Sequence, residues 1–250
     1  MGPEGGWQDT SDRANRAAPT TLKPITMPAL QDAEENMKAS QAAAPALALA
    51  TFVVLASGAL LRGSPLAFDA GGLAAVHAWR TEWLDQGFRI VTWLGSLLVL
   101  LPVALFMAWR ESRGSLPRAA AFVLAALIGA AILARLAKLA IERPRPDLFP
   151  ALIAMPADAS FPSAHAMQAT ALVAAWLLRP GARLAYVEAL AGGLLVAAVA
   201  LSRVYLQVHF PTDVVLGIIA ALLWVMALRG LPFWQNVYQP GSEPGAGEAR

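Results

Sequence analysis

The chain of 250 residues is 57% hydrophobic and 14% charged, with 19 Lys and Arg against 17 Asp and Glu and a formal net charge of +2. A mean hydropathy of +0.53 lies outside the balance of a soluble globular domain and assigns the chain to a bilayer. Basic residues dispersed along apolar borders exclude a nucleic-acid module, and the absence of cysteine excludes disulfides, thiolate metal sites and a cysteine nucleophile.

Residues 1–42 form a polar, Ala- and Pro-containing tail that lacks the apolar core of a cleavable signal and reads as disordered. A hydrocarbon core about 30 Å thick needs roughly 20 apolar residues per helical crossing. Six such runs follow, at 44–61, 90–109, 119–141, 164–178, 184–201 and 214–228. The third is free of charge until Arg135 and Lys138 near its end, and the fourth is short. Between the first two, residues 72–84 carry Leu73, Val76, Trp79 and Trp83 along one side, the pattern of a short interfacial helix in the first outer loop. The C-terminal stretch, rich in Gly, Pro and Glu from Gln239 onward, reads as a second flexible tail. The expected fold is all-α: a polytopic membrane domain of six transmembrane helices over 43–231, between cytoplasmic tails of 1–42 and 232–250.

Lys and Arg in short flanking segments set orientation, because they resist translocation. Arg13, Arg16, Lys23 and Lys38 precede the first run, Arg110, Arg113 and Arg118 join the second to the third, and Arg179 and Arg183 join the fourth to the fifth. That face reads as cytoplasmic, with both termini inside.

The opposite face collects three polar clusters. The third run ends in Lys138, Glu142, Arg143, Arg145 and Pro146; the fourth begins with Ser160, Ser163, Ala164 and His165; the last turn carries Ser202, Arg203, His209 and Asp213. Three cations, Lys138, Arg145 and Arg203, gathered at a membrane surface repel one another unless an anion is bound. Arg supplies forked donors for phosphate oxygens and Lys a point charge, while Ser163 and the backbone N–H groups of a helix start can complete the cradle. His209 and Asp213 are four residues apart, so the carboxylate can hold one ring nitrogen and leave the other to attack phosphorus. His165 then fits as the acid that protonates the leaving oxygen and later takes a proton from water.

Lys138 with six residues to Arg145 and Pro146, then Pro162-Ser163-Ala164-His165, then Ser202-Arg203 with five residues to His209 and three more to Asp213, resembles the three-part signature of the type 2 phosphatidic acid phosphatases. The resemblance covers residues 44–230. It implies a six-helix membrane fold, metal-independent dephosphorylation of lipid phosphates without a cofactor, and catalytic roles for His209, His165 and Asp213. It further implies phosphate binding by Lys138, Arg145, Ser163, Ala164 and Arg203. The family commonly has Gly where this chain has Ala164; a methyl there is strained only if the position needs a positive φ.

Taken singly, each residue has a plainer reading. Lys138 and Glu142 are an i, i+4 pair, Arg143 and Arg145 suit headgroup contacts, and His209 with Asp213 suits a surface pair. His77 carries no motif and reads as structural; Trp93, Trp109, Trp176 and Trp224 read as belt and packing residues. Three histidines without paired carboxylates speak against catalytic zinc. The leading expectation is a phosphohydrolase of a lipid or polyprenyl phosphate in a bacterial inner membrane, its site facing the periplasm or outside. A phosphotransferase with the same residues, or a non-enzymatic anion-binding or transport protein, are the alternatives; a vanadate haloperoxidase shares the site design but is soluble.

Overall fold

The structure, a computed structural model, describes residues 27–63, 65–113, 117–179 and 186–235. The chain divides into two units, Met1–Asn36 and Met37–Arg250, and of the first only the beginning of one helix is described. Among the described residues all regular structure is helical: α1 (Met27–Ser57), α2 (Ala67–Ala78), α3 (Glu82–Val91), α4 (Leu97–Arg113), α5 (Pro117–Ile141), α6 (Ala164–Leu178), α7 (Tyr186–Tyr205), α8 (Pro211–Arg229) and α9 (Pro232–Gln235). Four helices are long and apolar enough to cross a membrane, and a fifth span forms if α3 and α4 are counted as one bent pair. The protein is a multi-pass membrane protein.

Several sequence expectations are revised. α1 begins at Met27, so residues 27–42, expected to be disordered, are helical; the Ala, Gln, Glu, Lys and Met of that stretch all favour helix. Residues 1–26, Arg183 and Leu184, and Gln239 onward lie outside the described residues. The single surface helix expected over 72–84 is two helices, because Thr81 is extended and caps α3 through Leu84 N–H at 3.4 Å. Likewise the run 90–109 is interrupted by a 3₁₀ turn at Thr92–Gly95 and bends by 49°. There Ser96 leaves helical geometry and its Oγ accepts the Leu98 N–H at 3.3 Å, starting α4 afresh.

α6 has only 15 residues, short for a crossing. It is nonetheless the centre of the packing, lying against α4, α5, α7 and α8, with every residue from Ala166 to Leu172 buried. A helix that is apolar all round suits such a position. Small residues let its neighbours approach: Ala126, Ala130 and Ala134 of α5, Ala171 and Ala175 of α6, and Ala220 and Ala221 of α8 share one core. Pro117 opens α5 and Pro211 opens α8, where a missing N–H costs nothing. Between α5 and α6, prolines at 144, 146, 150, 156 and 162 prevent the helix from continuing and turn the chain back over the end of the bundle. The first of the two helices that replace the expected surface helix also packs inward: Leu73 and Val76 of α2 join Ala166, Tyr205, Phe210 and Val214.

Candidate active site

The proline-rich segment, the start of α6 and the α7–α8 turn meet at one end of the bundle, and each brings the residues singled out in the sequence. Lys138, in the last turn of α5, donates to the carbonyl of Ala159, lies 3.5 Å from that of Ser160, and pairs with Asp158 at 3.4 Å. Arg145 reaches across the same space. Its Nη1 donates to the Val208 carbonyl at 2.6 Å and stands 3.4 Å from His209 Nε2, while Nη2 meets Asp158 Oδ1 at 2.6 Å. Two of the cations therefore share a carboxylate that belongs to none of the three polar clusters of the sequence. Burial opposes ionisation of Asp158, but Lys138 and Arg145 outweigh it and hold its carboxyl below the usual range.

His209 is buried in the turn between α7 and α8. Nδ1 faces Asp213 Oδ2 and Ser160 Oγ, each at 3.5 Å, and Nε2 faces the arginine side. Burial first, then the charges of Arg203, Arg145 and Lys138, push this imidazole well below its ordinary range, so the ring is neutral at pH 7 and carries a lone pair.

Asp213 has closer partners than the histidine. Oδ2 accepts from Ser160 Oγ at 2.5 Å and from the Phe210 N–H at 2.9 Å, which also caps α8, and Oδ1 takes Arg143 Nη1 at 2.5 Å. Arg143 is thus no headgroup contact. It is 1% exposed, lies 4.2 Å over the Phe210 ring, and extends Nη2 to Asp69 Oδ2 at 2.7 Å. Asp69, fully buried in α2, also accepts the Thr212 N–H and hydroxyl, both at 2.9 Å. A carboxylate–guanidinium–carboxylate chain therefore fixes the post on which His209 rests. Sequence reading missed its outer half: Arg143 stood beside Arg145 with no assigned partner, and Asp69 belongs to no motif.

Other expectations change in detail. Glu142 does not pair with Lys138; it has a positive φ of 52° and faces Arg62 at 3.7 Å. Ser163 occupies the N-cap position of α6 without a side-chain cap bond, and its own N–H is taken by the Asp213 carbonyl at 3.1 Å, so the amides of Ala164, His165 and Ala166, without intrahelical partners, are the ones open to a ligand. Ala164 is the first helical residue and has no positive φ, so its methyl is unstrained. His165 follows it, and Gly95 approaches so closely that a Cβ there would stand 3.0 Å from His165 Cβ and 2.4 Å from Val199. His77 stacks on Phe149 at 4.0 Å, away from these groups.

Four buried polar side-chain atoms have no partner among the described residues: His77 Nδ1, Gln207 Oε1, Ser163 Oγ and Arg203 Nε, of which the last two belong to this site. Arg203 is held at its other end by Thr92 Oγ1, 2.5 Å from Nη1. A buried donor left unmade is costly, and here two of them belong to the cluster that also contains Lys138 and Arg145. The arrangement can receive a tetrahedral oxyanion beside a neutral imidazole.

The PAP2 superfamily profile matches residues 119–236. Phosphatidylglycerophosphatase B of Bacillus subtilis is 30% identical over 193 residues, spanning 72% of this chain and 90% of that protein. Decaprenylphosphoryl-5-phosphoribose phosphatase of Mycobacterium tuberculosis is 35% identical over 128 residues, 50% of this chain and 64% of that one. The crystal structure of the transmembrane PAP2-type phosphatidylglycerolphosphate phosphatase from Bacillus subtilis superposes with a TM-score of 0.60 at 26% identity, covering 75% of this chain and 94% of that chain. Aquifex aeolicus LpxE shares the fold with a TM-score of 0.55 at 23% identity, over 66% and 96% of the respective chains.

Proposed function

The chain belongs to the PAP2 superfamily and is a membrane lipid phosphatase; from that premise we propose that it removes the terminal phosphate of a lipid or polyprenyl phosphate through a phosphohistidine on His209. The observation that carries this reading is the pair of buried, unpartnered donors, Ser163 Oγ and Arg203 Nε, in the cluster that holds Lys138, Arg145 and the imidazole. Unpaired donors beside clustered cations are a seat for phosphoryl oxygens, and preorganised charge of this kind is usually the largest catalytic term.

In the proposed reaction Nε2 of His209 attacks phosphorus and the P–O bond to the lipid breaks. His165 gives its proton to the departing oxygen, then takes one from a water molecule that hydrolyses the P–N bond, returning His209 and releasing inorganic phosphate. Lys138, Arg145 and Arg203 spread over the equatorial oxygens, with Ser163 and the first amides of α6, from Ala164 on, completing the cradle. Asp213, fixed by Arg143 and Ser160, orients the ring through Nδ1.

The membrane arrangement proposed with it has six crossings over residues 43–231, with α6 as the short, enclosed one and α2 and α3 lying across the outer end. Both termini are cytoplasmic and the site opens to the periplasm or outside, in keeping with Arg110, Arg113 and Arg179 at the other end of the bundle.

Purified protein assayed for inorganic phosphate release with EDTA present, across phosphatidic acid, phosphatidylglycerol phosphate and polyprenyl phosphates, tests the reaction. Wild-type release that His209→Ala lacks, together with an acid-labile phosphoenzyme in the wild type, is expected. Undiminished release by His209→Ala refutes the nucleophile.

A further inference from the structure

Arg135 is a cation in a membrane-spanning helix that the proposed chemistry leaves unused. It lies in α5 six residues before Ile141, about 9 Å short of the helix end at 1.5 Å per residue. Ile132, Leu136 and Leu139 around it are all more than half exposed, which marks this side of α5 as facing lipid. Among the described residues no hydrogen bond or ion pair is made to Arg135, and an unpaired ionisable group in a spanning helix is costly unless it serves a ligand.

A cavity of about 690 Å³ gives it a use, running from Arg135 past Lys138 and Leu139 to Arg145, Met155 and Asp158. Its lining thus joins Lys138 and Arg145, two of the three cations of the phosphate seat, to Arg135. Arg135 and Lys138 are i, i+3 neighbours on one face of the helix, with Arg135 about 4.5 Å deeper towards the middle of the bundle. In a lipid that carries two phosphates, the inner one is nearer the tail and so deeper than the terminal one. The order of cations along α5 matches that order of phosphates.

Resting on the phosphatase reading, we propose that Arg135 is a second anion subsite and that the preferred substrates are lipids bearing an inner phosphate behind the terminal one. The terminal phosphate sits at Lys138, Arg145 and Arg203 for attack. The inner group, a phosphodiester or the proximal phosphate of a pyrophosphate, engages the guanidinium fork of Arg135 and stays on the lipid product. Leu139 and Met155 flank the path of the tail.

The test is a one-tube competition in mixed micelles between phosphatidic acid and phosphatidylglycerol phosphate with identical acyl chains, following both dephosphorylated lipids by mass spectrometry. Because the ratio of the two initial rates is read in one tube, it does not depend on how much of a variant is folded. Arg135→Gln is expected to lower the preference for phosphatidylglycerol phosphate about tenfold or more, mainly through KM, and Arg135→Lys to restore part of it. A ratio within about twofold of wild type overturns the proposal, and so does an equal loss on both lipids, the signature of an arginine anchored only to bulk headgroups. If the wild type converts neither lipid, the phosphatase reading fails, and the subsite is judged by binding. Greater thermal stabilisation by phosphatidylglycerol phosphate than by phosphatidic acid, lost in Arg135→Gln, upholds it; equal stabilisation by the two overturns it.

Discussion

Asp69→Asn separates the buried ion chain from the motif residues, because Asp69 touches no part of the phosphate seat and the replacement keeps its shape. In the wild type Arg143, 1% exposed, is shared between two fully buried carboxylates at 2.7 and 2.5 Å. Neutralising one of them leaves a buried guanidinium with a single counter-charge and leaves the Thr212 donors with a weaker acceptor. Losing one partner of a buried pair costs about 3–5 kcal/mol, and the retained hydrogen-bonding shape argues for the lower end, about 3 kcal/mol. For a chain of this size each kcal/mol moves Tm by roughly 2–4 °C, so a fall of about 6–12 °C is expected in detergent. Arg143 is then drawn towards Asp213 and the post beneath His209 shifts, so kcat falls about tenfold while KM holds. Tryptophan-fluorescence melting, with phosphate release measured well below the lower Tm, provides both numbers. A Tm within about 1 °C of wild type, with a rate within twofold, refutes the reasoning that this chain of charges holds the site.

Three further outcomes follow from the same geometry. Asp158 competes with phosphate for Lys138 and Arg145, and because it is 35% exposed its pairing is worth no more than about 1 kcal/mol; Asp158→Asn is therefore expected to tighten inhibition by inorganic phosphate about twofold to fivefold, and weaker inhibition contradicts the competition. His209 is held neutral well below its ordinary pKa, so below about pH 6.5 the unfolded chain binds a proton that the folded chain does not. Stability is retained above about pH 6.5 and declines as pH falls, by up to about 1.4 kcal/mol per unit. In phosphate-free buffer His209→Asn should flatten that slope, and an unchanged slope assigns it to other groups. Gly95→Ala places a methyl 2.4 Å from Val199 and 3.0 Å from His165 Cβ, which should cost about 1–3 kcal/mol in stability and lower the rate more than it changes KM. An undisturbed rate shows that His165 tolerates displacement.

The sequence was most informative where chemistry demands particular residues at particular intervals. Lys138, Arg145, Ser163, His165, Arg203, His209 and Asp213 belong to three segments that the apolar runs already assign to one membrane face, and the structure brings those segments to one end of the bundle. The α6 boundaries, 164–178, were legible because a proline-bounded serine precedes a run free of Asp, Glu, Lys and Arg. Less legible were places where side-chain caps interrupt apolar stretches: Ser96 and Thr81 break helices that hydropathy alone joins.

Composition and spacing by themselves determined that this chain is a helical membrane protein carrying a cluster of cations and histidines. Those properties depend on local residue type and on helix and membrane periodicity, which are written in the order of the residues. Only the tertiary structure decided who pairs with whom. It turned Arg143 inward to Asp69 and Asp213, set Asp158 on the two cations, and left Ser163 Oγ and Arg203 Nε without partners. Burial and ion pairing join residues as far apart as positions 69 and 213, and no local pattern encodes which distant carboxylate a buried arginine will meet.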